Sequence, residues 1–236
     1  MGRLSVLDGG AIVDHISLHL YSDYVDKDTA VANNLTYGGG NTFILRADST
    51  NKVASGERGR KSVRLVSTET FRHHVAMYVP LNLNHSRSVA DALAIHSFDV
   101  KHMPQGCATW PAIWETGLDD WPNQGELDIL EGVNDVSPNA ISIHTSLGCT
   151  VSDPRDQTGT TQGTDCGTHS ADDPGCAVMD SNQNSYGPSF NKNGGGWYAI
   201  ERTDSFIKAW FWPRSVNPPS DVKNGNNQIN TDSWVS

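Results

Sequence analysis

"GELDILEG", residues 125–132, sets Glu126, Asp128 and Glu131 within six positions, with only Leu and Ile between them. A helix would separate Glu126 from Asp128 by roughly 200° and gather the three acids on no single face. A strand returns alternate side chains to the same face. Glu126 and Asp128 then lie together, with Leu127 and Ile129 turned towards a core. Glu131 has the wrong parity for the acidic face. One β-bulge near Ile129–Leu130 inserts an extra residue and restores it. The stretch reads as a bulged, half-buried strand with three acids on its open face.

Neighbouring segments share that period. "ISIHTS" (141–146) puts Ile141, Ile143 and Thr145 on one face, and Ser142, His144 and Ser146 on the other. "SFIKAWFW" (205–212) sets Phe206, Lys208, Trp210 and Trp212 against Ile207, Ala209 and Phe211. "NTFILRAD" (41–48) and "KSVRLVS" (61–67) follow Gly-rich turns. Strands at this spacing predict an all-β antiparallel sandwich or jelly roll. Within 77–97, "SRSVADALAI" (86–95) lacks alternation and reads as a short helix. The 236 residues make one large domain or two small ones, and 22 Gly and 11 Pro suit many turns.

The net charge of −10, with no basic stripe, argues against nucleic acid as a partner. No apolar run approaches the ~18 residues of a membrane-spanning helix. Cys107, Cys149, Cys166 and Cys176 are even in number, lack CxxC spacing and allow three pairings. The last three bound a Gly/Thr/Asp/Pro-rich loop that a disulfide would staple, which fits an oxidising, secreted setting. The first 20 residues, with Asp8 and Asp14 inside them, make a poor signal peptide.

Paired acids on an open face fit retaining glycoside hydrolysis. One carboxylate attacks the anomeric carbon; the other protonates the leaving oxygen from roughly 5–5.5 Å away. Crowding serves that chemistry, because a neighbouring negative charge raises the acid's pKa. A solvated acidic edge and a calcium site are the alternatives. Asn134 and Asp135 could add oxygens to the latter. Trp110, Trp114 and Trp121 lie just upstream, and indole faces stack on sugar rings. His144 faces away from its Ile neighbours, where it could meet Asp128 or a sugar hydroxyl. His73 and His74 alternate across a strand and converge on no metal. GxSxG and HExxH motifs are absent.

"FDVKHMPQGCATWPAIWE", "WPNQGELDILEGVND", "SPNAISIHT", "NSYGPSFNKNGGGWYAIERTDSFIKAWFWPR" and "INTDSW" together resemble the fungal laminarinase-type branch of glycoside hydrolase family 16. The similarity covers roughly 24–76 and 98–232. It implies a curved, concanavalin-like antiparallel jelly roll, a single domain over 1–236. Its ExDxxE signature falls on Glu126, Asp128 and Glu131. By resemblance, Glu126 is the nucleophile, Glu131 the general acid/base, and Asp128 the carboxylate that tunes the nucleophile. His144 is a supporting active-site residue. Trp114, Trp121 and Arg64 match substrate-groove residues, with Trp110 supporting them. The implied activity is retaining endo-hydrolysis of β-1,3 and mixed β-1,3/1,4 glucans such as laminarin. It needs no metal or cofactor, and an extracellular monomer is expected. A non-catalytic glucan-binding jelly roll and an inactive truncated homologue are the other readings. Residues 1–23 and 77–97 depart from the family pattern, as an atypical N-terminus and an insertion. The family continues beyond "TDSWVS", so a jelly roll incomplete at its C-terminus is expected.

Overall fold

The computed structural model describes residues 4–6, 22–39, 42–67, 77–78, 94–117, 119–170, 173–224, 230–232 and 234. The chain packs as two compact units: Met1–Arg72 with Pro80–Ala90, and His73–Val79 with Asp91–Ser236.

In the first unit, the helix Lys27–Ala32 is capped by Asp26, whose side chain accepts the Thr29 N–H at 2.8 Å. Thr36–Gly39 pairs antiparallel with Thr42–Leu45, inside the strand expected over 41–48. The single strand expected over 61–67 is two short ones. Arg60–Ser62 runs parallel to Ser22–Tyr24, and Leu65–Ser67 antiparallel to Leu4–Val6. The break at Val63–Arg64 is where the chain changes partner.

The second unit holds nine strands among the described residues. They are β1 (Met77–Tyr78), β2 (Ala94–Val100), β3 (Ala112–Thr116), β4 (Glu126–Glu131), β5 (Ala140–His144), β6 (Thr160–Thr161), β7 (Cys176–Met179), β8 (Gly196–Arg202) and β9 (Ile207–Pro213). One sheet runs β6-β7-β5-β4-β3 and is antiparallel throughout. The other runs β9-β8-β2-β1, antiparallel except between β1 and β2. The helix expected over 86–95 lies outside the described residues except at Ala94 and Ile95. Those two are strand instead, paired with Arg202 and Glu201 of β8. Ala94–Ser97 therefore extend β2 back into the segment expected as an insertion. A full-length antiparallel partner overrides the local sequence preference there.

The two sheets close on one apolar core. Leu127, Ile129 and Leu130 come from β4, and Tyr198 and Ile200 from β8. Met103, Tyr186 and Phe190 fill the space from the connecting segments. Ala209 and Phe211 face this core from β9. Trp210 and Trp212 meet the edge of Trp234 at 5.0 and 5.2 Å, in keeping with the alternation read in 205–212.

Phe190, on the short helix Gly187–Lys192, is 0% exposed, with ring centroids 6.2 Å from Tyr198 and 6.1 Å from Phe211. Phe190→Ala is expected to lower stability by about 3–5 kcal/mol, the cost of a large cavity that the two sheets cannot collapse to fill. Urea unfolding with unchanged slope checks it; a loss near zero would mean that the sheets do not close on this ring.

Candidate active site

The turn into β4 is tight. Gly125 takes φ +80°, in the left-handed region that favours glycine, and its carbonyl accepts the Gly117 N–H at 3.2 Å. Register then sets the neighbours. Glu126 lies between Thr116 of β3 and His144 of β5, and Asp128 between Trp114 and Ser142. Beyond Asp128 the ladder to β3 skips a residue, so that Leu130 meets Ile113 and Glu131 meets Ala112. Ala112 and Trp114 share a face of β3, so Glu131 returns to the face of Asp128. The bulge expected near Ile129–Leu130 is present, and both of those side chains are buried in the core.

Hydrogen bonds connect the group. The Trp110 indole donates to Glu131 Oε1 at 2.7 Å. Trp121 and Thr116 lie beside the Glu126 carboxylate and favour its ionised form, and the Trp121 ring lies 6.3 Å from that of His144. Asp128 is 3% exposed. Its Oδ2 accepts from Ser142 Oγ at 2.8 Å and lies 3.2 Å from His144 Nε2. The structure thus gathers Glu126, Asp128, Glu131, His144, Trp110 and Trp121, with Trp114 beside them by register. Arg64 belongs to the first unit, half-buried at the break between its two short strands. The sequence pattern assigns no role to Thr116 or Ser142. Ser142 shares the parity of His144, a signal that could have found it; Thr116 needs the cross-strand register.

Electrostatics separate the two glutamates. Burial, then the charges of Asp128 and Glu126, push Glu131 up to about 7, against the opposing bond from Trp110. Burial and the Asp128 charge also raise Glu126, but His144, Trp121 and Thr116 all act to hold it ionised. The bond to Asp128 raises His144. Glu131 also links folding to pH. Between its ordinary 4.5 and about 7, the folded state keeps a proton that the unfolded chain has released. Folding therefore becomes less favourable as pH rises through that window.

Glu126, Asp128 and His144 each bring one ligand atom within 4.8 Å of the others, the one such group among the described residues. Two carboxylates and an imidazole do not match the roughly six to eight oxygens that calcium takes. The Asp128 oxygen is already used by Ser142 and His144. Cys166 and Cys176 form a disulfide, while Cys107 and Cys149 carry free, exposed thiols.

Paired carboxylates flanked by indoles on one face of an antiparallel sheet define a β-sandwich protein with a carboxylate–indole site. A family model described as the XgeA-like, catalytic GH16 domain matches residues 19–236. The chain belongs to glycoside hydrolase family 16. Laminarinase 16A from Phanerochaete chrysosporium, solved with two β-glucans in its donor and acceptor sites, is 48% identical with a TM-score of 0.81, over 93% of this chain and 67% of that one. An elongating family 16 β-1,3-glucosyltransferase is 35% identical with a TM-score of 0.73, over 94% of this chain and 65% of that one. An endo-1,3(4)-β-glucanase of Arthroderma benhamiae is 39% identical over 209 residues, 86% of this chain and 40% of that protein. A probable glycosidase of Schizosaccharomyces pombe is 36% identical over 89% of this chain and 45% of its own length. The chain thus spans under half the length of these curated relatives.

Proposed function

We propose that the protein is a retaining endo-β-1,3(4)-glucanase that cleaves internal β-1,3 and mixed β-1,3/1,4 bonds of glucans such as laminarin. The carrying observation is the bulged strand that sets Glu126 and Glu131 on one face, with Glu131 raised to about 7. Glu126 attacks the anomeric carbon while Glu131 gives its proton to the departing oxygen. A glycosyl ester on Glu126 results. Glu131, now a carboxylate, takes a proton from water, which attacks the same carbon from the leaving-group side. Two inversions give net retention. Asp128, fixed by Ser142 and His144, keeps Glu126 oriented and holds negative charge beside Glu131. Trp110, Trp114 and Trp121 offer aromatic faces to sugar rings, and Arg64 is assigned to the substrate groove. No metal takes part. A purely glucan-binding sandwich would gain nothing from a half-buried Glu131 with a raised pKa.

The proposal includes one catalytic domain spanning both units, since the matched family model runs through 19–236. It also includes a secreted monomer. The disulfide fits an oxidising compartment, and no helix among the described residues is long and apolar enough to cross a membrane.

The pH–rate profile is expected to be bell-shaped. Activity falls on the acid side as Glu126 takes up a proton, with a midpoint above the usual 4.5. It falls on the alkaline side as Glu131 loses its proton near 7. Initial rates on laminarin in constant-ionic-strength buffers check both limbs. The deciding experiment follows laminarin cleavage by proton NMR. The β-anomer should appear first and then mutarotate. An α-anomer first, or no new reducing ends, would rule out the retaining reading.

A further inference from the structure

We propose that Asn139 is a positioning residue, whose side-chain amide holds the β-bulge that keeps Glu131 on the same face as Glu126. The proposal rests on the acid/base reading of Glu131.

The pairing of β4 with β5 ends at Asp128 and Ser142. The next backbone groups of β4 met on that side are those of Ile129 and Glu131, on either side of Leu130, where the ladder to β3 resumes after its skipped residue. Asn139, just before β5, supplies the missing partner with its side chain. Its Oδ1 accepts the Glu131 N–H at 2.9 Å, and its Nδ2 donates to the Ile129 carbonyl at 2.9 Å. One amide thus spans the extra residue. The orientation is determined, because a flipped amide would set donor against donor and acceptor against acceptor. Asn139 is 0% exposed. Its own N–H donates to Ser185 Oγ and its carbonyl accepts the Asp180 N–H, both at 2.9 Å. It is therefore fixed from the far side of the chain. The residue after Glu131 is fixed as well. The Tyr186 ring occupies the space where a side chain at Gly132 would begin, and its hydroxyl donates to the Gly132 carbonyl at 2.5 Å.

Parity makes the bulge decisive. Without it, Glu131 would point into the core and Leu130 would replace it on the open face. The bulge is the condition for having an acid/base at all, and Asn139 makes the two bonds that an ordinary strand partner would make there.

The test compares substrates that differ in their need for a proton donor. Laminarin needs protonation of its leaving oxygen; a 2,4-dinitrophenyl β-laminaribioside does not, because its phenolate leaves unaided. Asn139→Ala is expected to lose roughly 100-fold in kcat on laminarin, the scale of an ångström-sized misplacement. Its burst of dinitrophenolate should stay within about threefold of the parent, and added azide should restore turnover. Its alkaline limb should move to lower pH as Glu131 becomes more solvated. A merely structural role would lower both substrates in proportion to the fraction of folded enzyme and leave the limb in place, and that result overturns the proposal.

Asn139→Asp covers the case in which Asn139→Ala does not fold. A protonated Asp repeats the donor and acceptor pattern, so activity relative to the parent should approach one at low pH and collapse as the carboxyl ionises. A flat ratio across pH overturns the proposal. Glu131→Gln runs beside both. If it shows no split between the two substrates, the acid/base reading fails and the proposal goes with it. If it shows the split and Asn139→Ala does not, the positioning role alone is wrong.

Discussion

Glu126→Gln is expected to lower kcat on laminarin by roughly 10⁴–10⁶-fold, the scale seen when a nucleophile that works as a unit with its partners is removed. The amide has nearly the shape of the carboxylate. Its oxygen can still accept from Thr116 and Trp121, which lie beside Glu126 and favour its ionised form in the native site. The strand should therefore keep its register, and the melting temperature should change little. What disappears is the electron pair that attacks the anomeric carbon. Neither water nor Asp128 can replace it. Asp128 is nearly buried, and its Oδ2 is engaged by Ser142 and His144. A further sign accompanies the loss. The Glu126 charge is one of the causes that raise Glu131, so in the Gln variant Glu131 should titrate below about 7. Reducing-sugar release and carboxyl titration by NMR read the two effects. A folded variant within tenfold of the parent would remove Glu126 from the role of nucleophile.

The bulged strand is legible in the amino-acid sequence because two periods compete in six residues and only one makes sense of both faces. Alternation alone places Glu126 and Asp128 together and buries Leu127 and Ile129. The leftover parity of Glu131 then demands an inserted residue, and the ladder skips one between Asp128 and Leu130. His144 is legible for the same reason, since its alternation with Ile141 and Ile143 fixes which way it points. Features that depend on a distant partner are not legible. The division of 61–67 into two strands reflects a change of partner at Val63–Arg64, and nothing local marks that change. Ala94 and Ile95 look helical alone and become strand because β8 pairs with them. Four cysteines permit three pairings. The choice of Cys166 with Cys176 follows from a 4.4 Å Cα separation that β5, β7 and the loop between them create. Asn139 is the clearest case. In the sequence it is one polar residue among turn formers. Its importance lies in two hydrogen bonds to residues eight and ten positions earlier.

Glu131→Gln should lose roughly 10²–10⁴-fold on laminarin, the usual contribution of a general acid/base. That is a smaller loss than at Glu126, because the nucleophile remains. The Trp110 indole can still donate to the amide oxygen in place of Oε1, so the aromatic flank should stay in place. With Glu126 still able to attack, a dinitrophenyl substrate should load the enzyme at close to the normal rate. The glycosyl ester then waits, because no base activates water. Azide needs no base and should release a β-glycosyl azide from the same face. The alkaline limb near 7 should vanish, since the group that titrates there is gone. Stability offers an independent check. In the parent protein, ionising the half-buried Glu131 opposes folding as pH rises from 4.5 to about 7. Glutamine carries no such proton, so the melting temperature of the variant should fall less across that window. A variant that matches the parent in both the alkaline limb and the pH dependence of melting would show that another carboxyl titrates there, and Glu131 would lose its place as the acid/base.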